Sequence, residues 1–439
     1  MSHEQIEPAD RFAAFVFLDW ANEKHDWALV EADSNRIEQG ELKNTPEAVE
    51  VWAAGLAQRF PGQTIAVGLE TNRNVLFLLL KYGHLVIFPT HPARLASYRT
   101  TFCPSGAKDD PSDAVLGLDL LRRHRERFQV WQPDTVETRT LQFLVEDRRR
   151  LVDDKTENSN RLTERLKLYF PQTLEWFDAV DSPMFGDFLQ RWPTLEQLRE
   201  APPATLRKFF HHHNSRSNEL IEKRLEQIGK AVHATLDPAV LASSVTYALA
   251  LVGVIASIRK GIAEIDRQSA AVFNQHPDAH IFRSLPGAGA ALAPRLLAAL
   301  GTRRERFDNA HQVHCYSGIA PVLQRSGNTE VIHQRRACNK FLRQTFHEWA
   351  ACTIRSSSWA RAYYDHQRAK NKGHHAAVRT LAYKWIRIVF RCWKDRLPYD
   401  EARHLEALRR RQAPKPDLTA FRWVQVAGFH KFAGLGGSS

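Results

Sequence analysis

The chain has 439 residues, 43% hydrophobic and 25% charged, with 61 Lys and Arg against 49 Asp and Glu and a formal net charge of +12. That length supports two or three domains with cores of their own, and the charge balance points to a polyanionic partner, nucleic acid first. The five cysteines (Cys103, Cys315, Cys338, Cys352, Cys392) form no CxxC pair, which argues against a zinc site or a disulfide framework and fits a reducing cytoplasm. Residues 1–11 are polar and acidic, and no apolar run is read as reaching the roughly 18 residues of a membrane span, so neither a secretory signal nor a span is expected.

Residues 12–19 (FAAFVFLD) form a short apolar run of strand length that ends in an acid, Asp19. Residues 26–31 and 36–42 read as two further strands, with turn chemistry in Asp33-Ser34-Asn35. Residues 45–60 read as a helix, because Thr45 suits its cap, Pro46 its first position, and Val49, Trp52, Leu56 and Phe60 share a face. Residues 64–69 form another buried strand, followed again by an acid, Glu70. Residues 74–82 are expected helical and 85–88 extended. A polar connection carrying Arg94 and Arg99 then leads to a helix begun at Asp110. There Asp110 suits the N-cap, Pro111 the first turn, and Asp110 and Asp113 fall one turn apart near one face. Two carboxylates beside apolar residues that must be buried are costly without a positive neighbour. A capped, solvated helix start is one solution and a divalent metal is another. The order β-β-β-α-β-α-β-α, with acids at the ends of the first and fourth strands and on the last helix, is that of a ribonuclease-H-like fold. In that fold carboxylates meet at one sheet edge, which favours the metal.

From residue 137 to about 275 the texture changes. Residues 141–170 are rich in Arg, Glu, Asp and Leu with no strand signal, and Pro171, Pro183, Pro193, Pro202 and Pro203 break up a section of short helices. Residues 218–236 and 240–273 read as long amphipathic helices, so this part is expected to be a helical or coiled-coil insert. The run Phe209-Phe210-His211-His212-His213 reads as a basic patch near a helix end, since adjacent histidines on a helix point in different directions. A third unit starts near residue 281. Ser284-Leu285-Pro286-Gly287-Ala288-Gly289-Ala290 precedes an Ala- and Leu-rich helix, as a plain tight turn or as a helix-hairpin-helix-like element offering backbone N–H groups to a phosphate.

Ser326 sits in an Arg-Ser-Gly-Asn turn, with Arg325 before it and His333, Arg335, Arg336, Asn339, Lys340 and Arg343 downstream. A serine beside glycine in a basic loop can be a nucleophile toward a phosphodiester, with cations to offset the developing charge; most such pairs are simply turns. Helices are expected over 339–356 and 374–395. The second interleaves Arg379, Lys384, Arg387, Arg391 and Lys394 with Trp385, Ile388, Val389, Phe390 and Trp393, as a helix packed on one side and facing phosphates on the other would. The tail beyond residue 398 is basic and its last residues are Gly- and Ser-rich.

From residue 15 to 399 the chain resembles the DEDD-type transposases of the insertion-sequence family numbered one-ten, described as bridge-RNA-guided serine recombinases. The resemblance is carried by Leu18-Asp19 with Glu23-Lys24-His25-Asp26 behind it; by Gly68-Leu69-Glu70-Thr71; by Lys108-Asp109-Asp110-Pro111-Ser112-Asp113-Ala114; by Leu285-Pro286-Gly287-Ala288-Gly289; and by Tyr316-Ser317-Gly318-Ile319-Ala320-Pro321 through Ser326-Gly327. It implies an α/β plus all-α chain: a RuvC-like, ribonuclease-H-fold domain over residues 1–136, a coiled-coil domain over 137–275, a mainly helical transposase domain over 276–400, and a basic tail over 401–439. Carried over, the quartet that binds Mg²⁺ is Asp19, Glu70, Asp110 and Asp113, and the nucleophile is Ser326. Asp109 stands where the family commonly has threonine, and the three-residue step to Asp113-Ala114 selects Asp110. The family's Arg/Lys-Gly-Asn pattern is replaced here by Arg335-Arg336-Ala337-Cys338-Asn339-Lys340.

The resemblance further implies donor and target DNA as partners, a structured noncoding bridge RNA, a homodimer that pairs into a tetramer, and a place in the bacterial cytoplasm near the nucleoid. Nucleic-acid contacts are expected from Arg325, Arg335, Arg336, Lys340, Arg343, Arg379, Lys384 and Arg387. The nearest rival is a RuvC-type metal-dependent endonuclease or junction resolvase that uses water and gives Ser326 no chemical role.

Overall fold

A computed structural model of the chain describes residues 12–70, 73–102, 110–215, 217–327 and 329–410. Asp109, Thr71, Asn328, the acidic opening and the tail after 410 lie outside the described residues, and Asp110 is described by its backbone alone. Two compact units are present, 1–133 and 134–439.

In the first unit the chain runs β1 (Ala14–Asp19), β2 (Lys24–Glu31), β3 (Ile37–Lys43), α1 (Pro46–Arg59), β4 (Ile65–Glu70), α2 (Arg73–Leu79), β5 (Leu85–Thr90), α3 (Pro92–Phe102) and α4 (Asp110–Arg123). The sheet order is β3-β2-β1-β4-β5. The first three strands are antiparallel, and β4 and β5 run parallel to β1. This mixed sheet is consistent with the ribonuclease-H-like expectation. Central β1 and β4 are buried on both faces, which is why they read as continuous apolar runs. Edge strand β3 is mostly polar, as an unpaired edge requires. Helix α1 starts as its sequence predicts: the Thr45 hydroxyl accepts from the Ala48 N–H and Pro46 takes the first turn.

The polar connection carrying Arg94 and Arg99 is itself a helix, α3, which corrects the expectation of a loop. Among its described side chains the one deeply buried apolar residue is Leu95, too little for a helical period to show, but Pro92 opens it favourably. Helix α4 lies hard against the sheet. A Cβ on Gly117 would come within 2.3 Å of the Phe17 ring, and one on Gly68 of β4 within 2.6 Å of the same ring. The absence of side chains at these two positions lets the fully buried Phe17 fill the gap between helix and sheet. Asp113 lies one turn before Gly117, so this contact also sets the position of the acid.

The second unit is built on two long helices, α5 (Val136–Tyr169) and, after the short helices α6 (Thr173–Trp176), α7 (Pro183–Arg191), α8 (Leu195–Glu200), α9 (Pro203–His212) and α10 (Asn218–Lys230), α11 (Pro238–Gln275). Helices α5 and α11 are antiparallel. Thr138 bonds His276, Arg148 pairs with Asp266, Leu151 meets Gly261, and Arg165 lies over the Tyr247 ring. The short helices pack an aromatic core around Phe177, Phe188 and Phe210 at one end of this pair. The second amphipathic helix expected to reach residue 236 stops at Lys230, and Asp237 caps α11 with Pro238 in its first turn. Helix α11 also corrects the reading of apolar runs. It is long and apolar enough, by length and composition alone, to cross a membrane, and in this unit it packs along α5 and α7.

At the other end of the pair the chain continues through α12 (Ala279–Arg283), α13 (Gly289–Leu300), α14 (Ala310–Tyr316), the hairpin β6 (Val322–Ser326) and β7 (Thr329–His333), α15 (Lys340–Ser356), α16 (Ser358–Ala369), α17 (His374–Asp395) and α18 (Glu401–Arg410). Trp349, Trp385 and Trp393 are fully buried in its core. The Pro-Gly turn before α13 is seated on α15. The Trp349 indole N–H donates to the Pro286 carbonyl at 2.9 Å, and a Cβ on Gly287, at φ +67°, would lie 2.9 Å from the Cys352 backbone. Close packing therefore accounts for this glycine without a bound phosphate.

Replacing Gly117 with Val should destabilise the first unit by about 1–3 kcal/mol through overpacking against Phe17. Gly55→Ala on α1, where a Cβ meets nothing within 4 Å, should be neutral or stabilising in the same denaturation series.

Candidate active site

Strands β1 and β4 pair in parallel up to Leu18 opposite Leu69, so the next residues, Asp19 and Glu70, end side by side at one sheet edge. On the other side of β1 the antiparallel register sets Asp19 opposite Asp26 of β2. A cavity of about 400 Å³ opens there. Asp19, Asp26 and Glu70 line it together with Arg99 of α3 and Asp113 of α4. Asp113 is only 2% exposed. Arg99 grips it with both arms of its guanidinium: Nε donates to Oδ1 at 2.7 Å and Nη2 pairs with Oδ2. A buried carboxylate needs such a counter-charge, and the forked pairing is the strongest that a side chain offers. The backbone of Asp110 begins α4, one turn ahead of Asp113.

Behind this edge His25 is buried, its Nδ1 accepts from the Ala21 N–H at 3.3 Å, and its ring stacks on Trp20. His25 lies in β2, where desolvation pushes its pKa down.

In the second unit Ser326 is the last residue of β6, exposed at the hairpin tip opposite Thr329, and Gly327 takes φ +55° to make the turn. The expected turn is thus the end of a two-stranded hairpin. Arg325 is tied across that hairpin to Glu330 at 2.8 Å. The Arg335 carbonyl accepts from Arg343, whose guanidinium also reaches the Cys338 sulfur. Arg343 and Arg379 are close enough that burial and Arg343 together depress the Arg379 pKa. Lys384 lies 5.9 Å over the Tyr363 ring, its pKa lowered by burial and by Arg387. Arg336, Lys340 and Arg387 are exposed. Of the eight expected nucleic-acid contacts, Arg335, Arg343 and Arg379 therefore cluster, Arg325 has an acidic partner, and the rest are spread along the surface.

Two sequence families match the chain. One described as a DEDD-type IS110 transposase covers residues 16–171, and one described as a transposase of the IS116/IS110/IS902 family covers residues 279–365. Both matches point to the IS110/IS116 family of DEDD transposases. It is similar to the mini-circle putative transposase for IS117 of Streptomyces coelicolor, at 25% identity over 90% of this chain and 97% of the relative. It is also similar to the uncharacterized 42 kDa protein of insertion element IS900 of Mycobacterium paratuberculosis, at 23% identity over 88% and 96%. A third relative is the uncharacterized 44.8 kDa protein of insertion element IS116 of Streptomyces clavuligerus, at 23% over 86% and 94%. Asp19, Glu70, Asp110 and Asp113 all fall within the first match and Ser326 within the second.

DEDD transposases typically use a divalent metal, and the donor chemistry of this transposase's cavity fits one. Its acids offer only carboxylate oxygens, the ligands of a hard cation such as Mg²⁺. Among the described residues, no three His, Cys, Asp or Glu side chains close into a ligand group, and both oxygens of Asp113 are held by Arg99. Sequence reasoning missed Asp26 and Arg99. The register of a β1–β2 hairpin would have set Asp26 opposite Asp19, whereas nothing in the sequence tied Arg99 to Asp113 while α3 was read as a loop.

Arg99→Leu should cost the transposase about 3–5 kcal/mol, because it leaves Asp113 buried without its partner. Adding Asp113→Asn should recover part of that loss. Equal stability of Arg99→Leu and wild type in urea would mean that the pair carries no structural weight.

Proposed function

We propose that this transposase is a recombinase that cuts and exchanges DNA strands through a covalent Ser326–DNA link, with Mg²⁺ held by Asp19, Glu70, Asp110 and Asp113 and with a structured noncoding bridge RNA as guide. The observation that carries the reading is the convergence of Asp19, Glu70 and Asp113, from β1, β4 and α4, on one cavity in a chain of a transposase family. The bound metal supplies positive charge against a phosphate and its oxyanion. The four acids hold that charge, and Arg99 orients Asp113 within the cavity.

Ser326 presents its hydroxyl at an exposed hairpin tip, where an extended DNA strand has access. Its oxygen attacks phosphorus, forming a serine–phosphate ester and breaking the bond to the departing strand, whose oxygen takes up a proton while the serine gives one up. The ester keeps the bond energy, so a strand hydroxyl can later attack the same phosphorus and release the serine. Arg325, Arg335, Arg336, Lys340, Arg343, Arg379, Lys384 and Arg387 hold nucleic-acid backbone by charge, while base pairing by the RNA selects sequence. The working assembly is a homodimer that pairs into a tetramer with donor and target DNA.

The rival is a RuvC-type endonuclease that shares the acids and uses water. The test is to incubate full-length protein with donor and target DNA and Mg²⁺, with and without RNA transcribed from the flanking region. A protein–DNA adduct and recombinant product are expected only with RNA and Mg²⁺, and both should vanish in Ser326→Ala. Undiminished cleavage by Ser326→Ala would favour the water-using nuclease, and recombination without RNA would remove the guide.

A further inference from the structure

We propose that His347 and His375, together with Arg343 and Arg379, form a seat for one backbone phosphate of bound DNA. The proposal rests on the reading of this chain as a DNA transposase and adds a specific, proton-dependent contact to it. Helices α15 and α17 pack against each other. Arg343 and His347 are four apart on the first, and His375 and Arg379 four apart on the second, so each pair shares one helix face. The faces meet. The His347 and His375 rings lie 5.6 Å apart, the His374 ring is 5.1 Å from that of His375, and Arg343 is near enough to depress Arg379. On α16 the Tyr364 hydroxyl lies 2.8 Å from His374 Nδ1, which fixes that ring at the margin of the cluster.

Basic groups gathered in this way build a local positive potential that favours an anion. Helices α15, α16 and α17 carry one acid each among their residues. Glu348 is turned to Arg149 and Arg295, Asp365 is paired with Arg361, and Asp395 is paired with Arg391. Burial and the basic neighbours Arg379, His375 and His374 push the His347 pKa down, against one backbone hydrogen bond at His375. The Arg343 Nε is buried and has no hydrogen-bond partner. His374 and His375 are exposed, so the seat is open to a polymer. Gly373 leaves the start of α17 without a side-chain cap, and its first turn has no acid, which adds to the positive potential. A phosphate oxyanion accepts charge-assisted hydrogen bonds from imidazolium and guanidinium together. Burial holds the His347 pKa down, so its imidazole must take up a proton to donate fully to a phosphate, and binding should tighten as pH falls through the histidine range.

The test measures binding of a labelled DNA duplex to the full-length protein at pH 6 and pH 8, at one fixed ionic strength. Wild type should bind about tenfold more tightly at pH 6, the scale of one or two charge-assisted contacts. His347→Gln/His375→Gln should lose most of that pH dependence and bind like wild type at pH 8. The single variant His375→Gln, at an exposed position, should lose part of it and serves as the control for folding. A double variant that keeps the full pH dependence, or that loses affinity equally at both pH values, would overturn the seat. Inorganic phosphate supplies the second arm, since it should raise the thermal midpoint of wild type more than that of the double variant. Stabilisation by phosphate in a wild-type protein that binds no DNA would keep the seat and overturn the DNA reading, and the absence of both responses would overturn the seat itself.

Discussion

The mutual repulsion of carboxylates around one cavity is the constraint on which the first unit turns. Asp19 and Asp26 face each other across a strand pair, Glu70 stands beside Asp19 on the next strand, and Asp113 enters from α4. Like charges opposite one another in a sheet are destabilising. The fold offsets this with burial: β1 and β4 lie in the centre of the sheet, apolar on both faces, and the area they bury holds their ends together. The seating of Gly117 and Gly68 around Phe17 prevents α4 from backing away, and the Arg99 fork neutralises the most buried acid. Charge is thus held where relaxation would remove it, as a cation-binding edge requires.

The second unit solves a different problem. It must carry basic surfaces on a chain that is already strongly cationic. The antiparallel pair α5–α11 supplies a rigid frame with an aromatic core at one end and a tryptophan-rich core at the other. On the latter core, α17 buries Trp385, Ile386, Val389 and Trp393 while Arg387 and Arg391 reach solvent. The hairpin bearing Ser326 is exposed along its length, with Arg325 braced against Glu330. A nucleophile on such an element gains access at the expense of fixed surroundings, which a bound nucleic acid would have to supply.

What the sequence made legible follows from burial. Strands β1 and β4 announced themselves because central strands read as unbroken apolar runs, and the acids at their ends could be named at once. Helix α1 was marked by Thr45-Pro46, and α17 by a tryptophan-rich apolar face that ran its whole length. The illegible parts had little burial to leave a pattern. Among the described side chains of α3 only Leu95 is deeply buried, so its sequence reads as a loop and Arg99 with it. The residues of β6 are exposed throughout, so no alternation marked the hairpin and Ser326 looked like part of a bare turn. The sequence of α11 reads as an amphipathic helix although its uncharged stretch is long, since Ser, Thr and Tyr interrupt the apolar residues. Asp26 was visible as a residue, but its place beside Asp19 depended on a register that only the paired strands define.

Binding of Mn²⁺ as a substitute for Mg²⁺, measured by calorimetry on the full-length protein without DNA, tests the cavity most directly. One saturable site should be present in wild type, be lost or weakened at least tenfold in Asp19→Asn and in Glu70→Gln, and be unaffected by Ser326→Ala. Undiminished Mn²⁺ binding by both acid variants, or no binding by wild type, would contradict the assignment of this sheet edge as the metal centre.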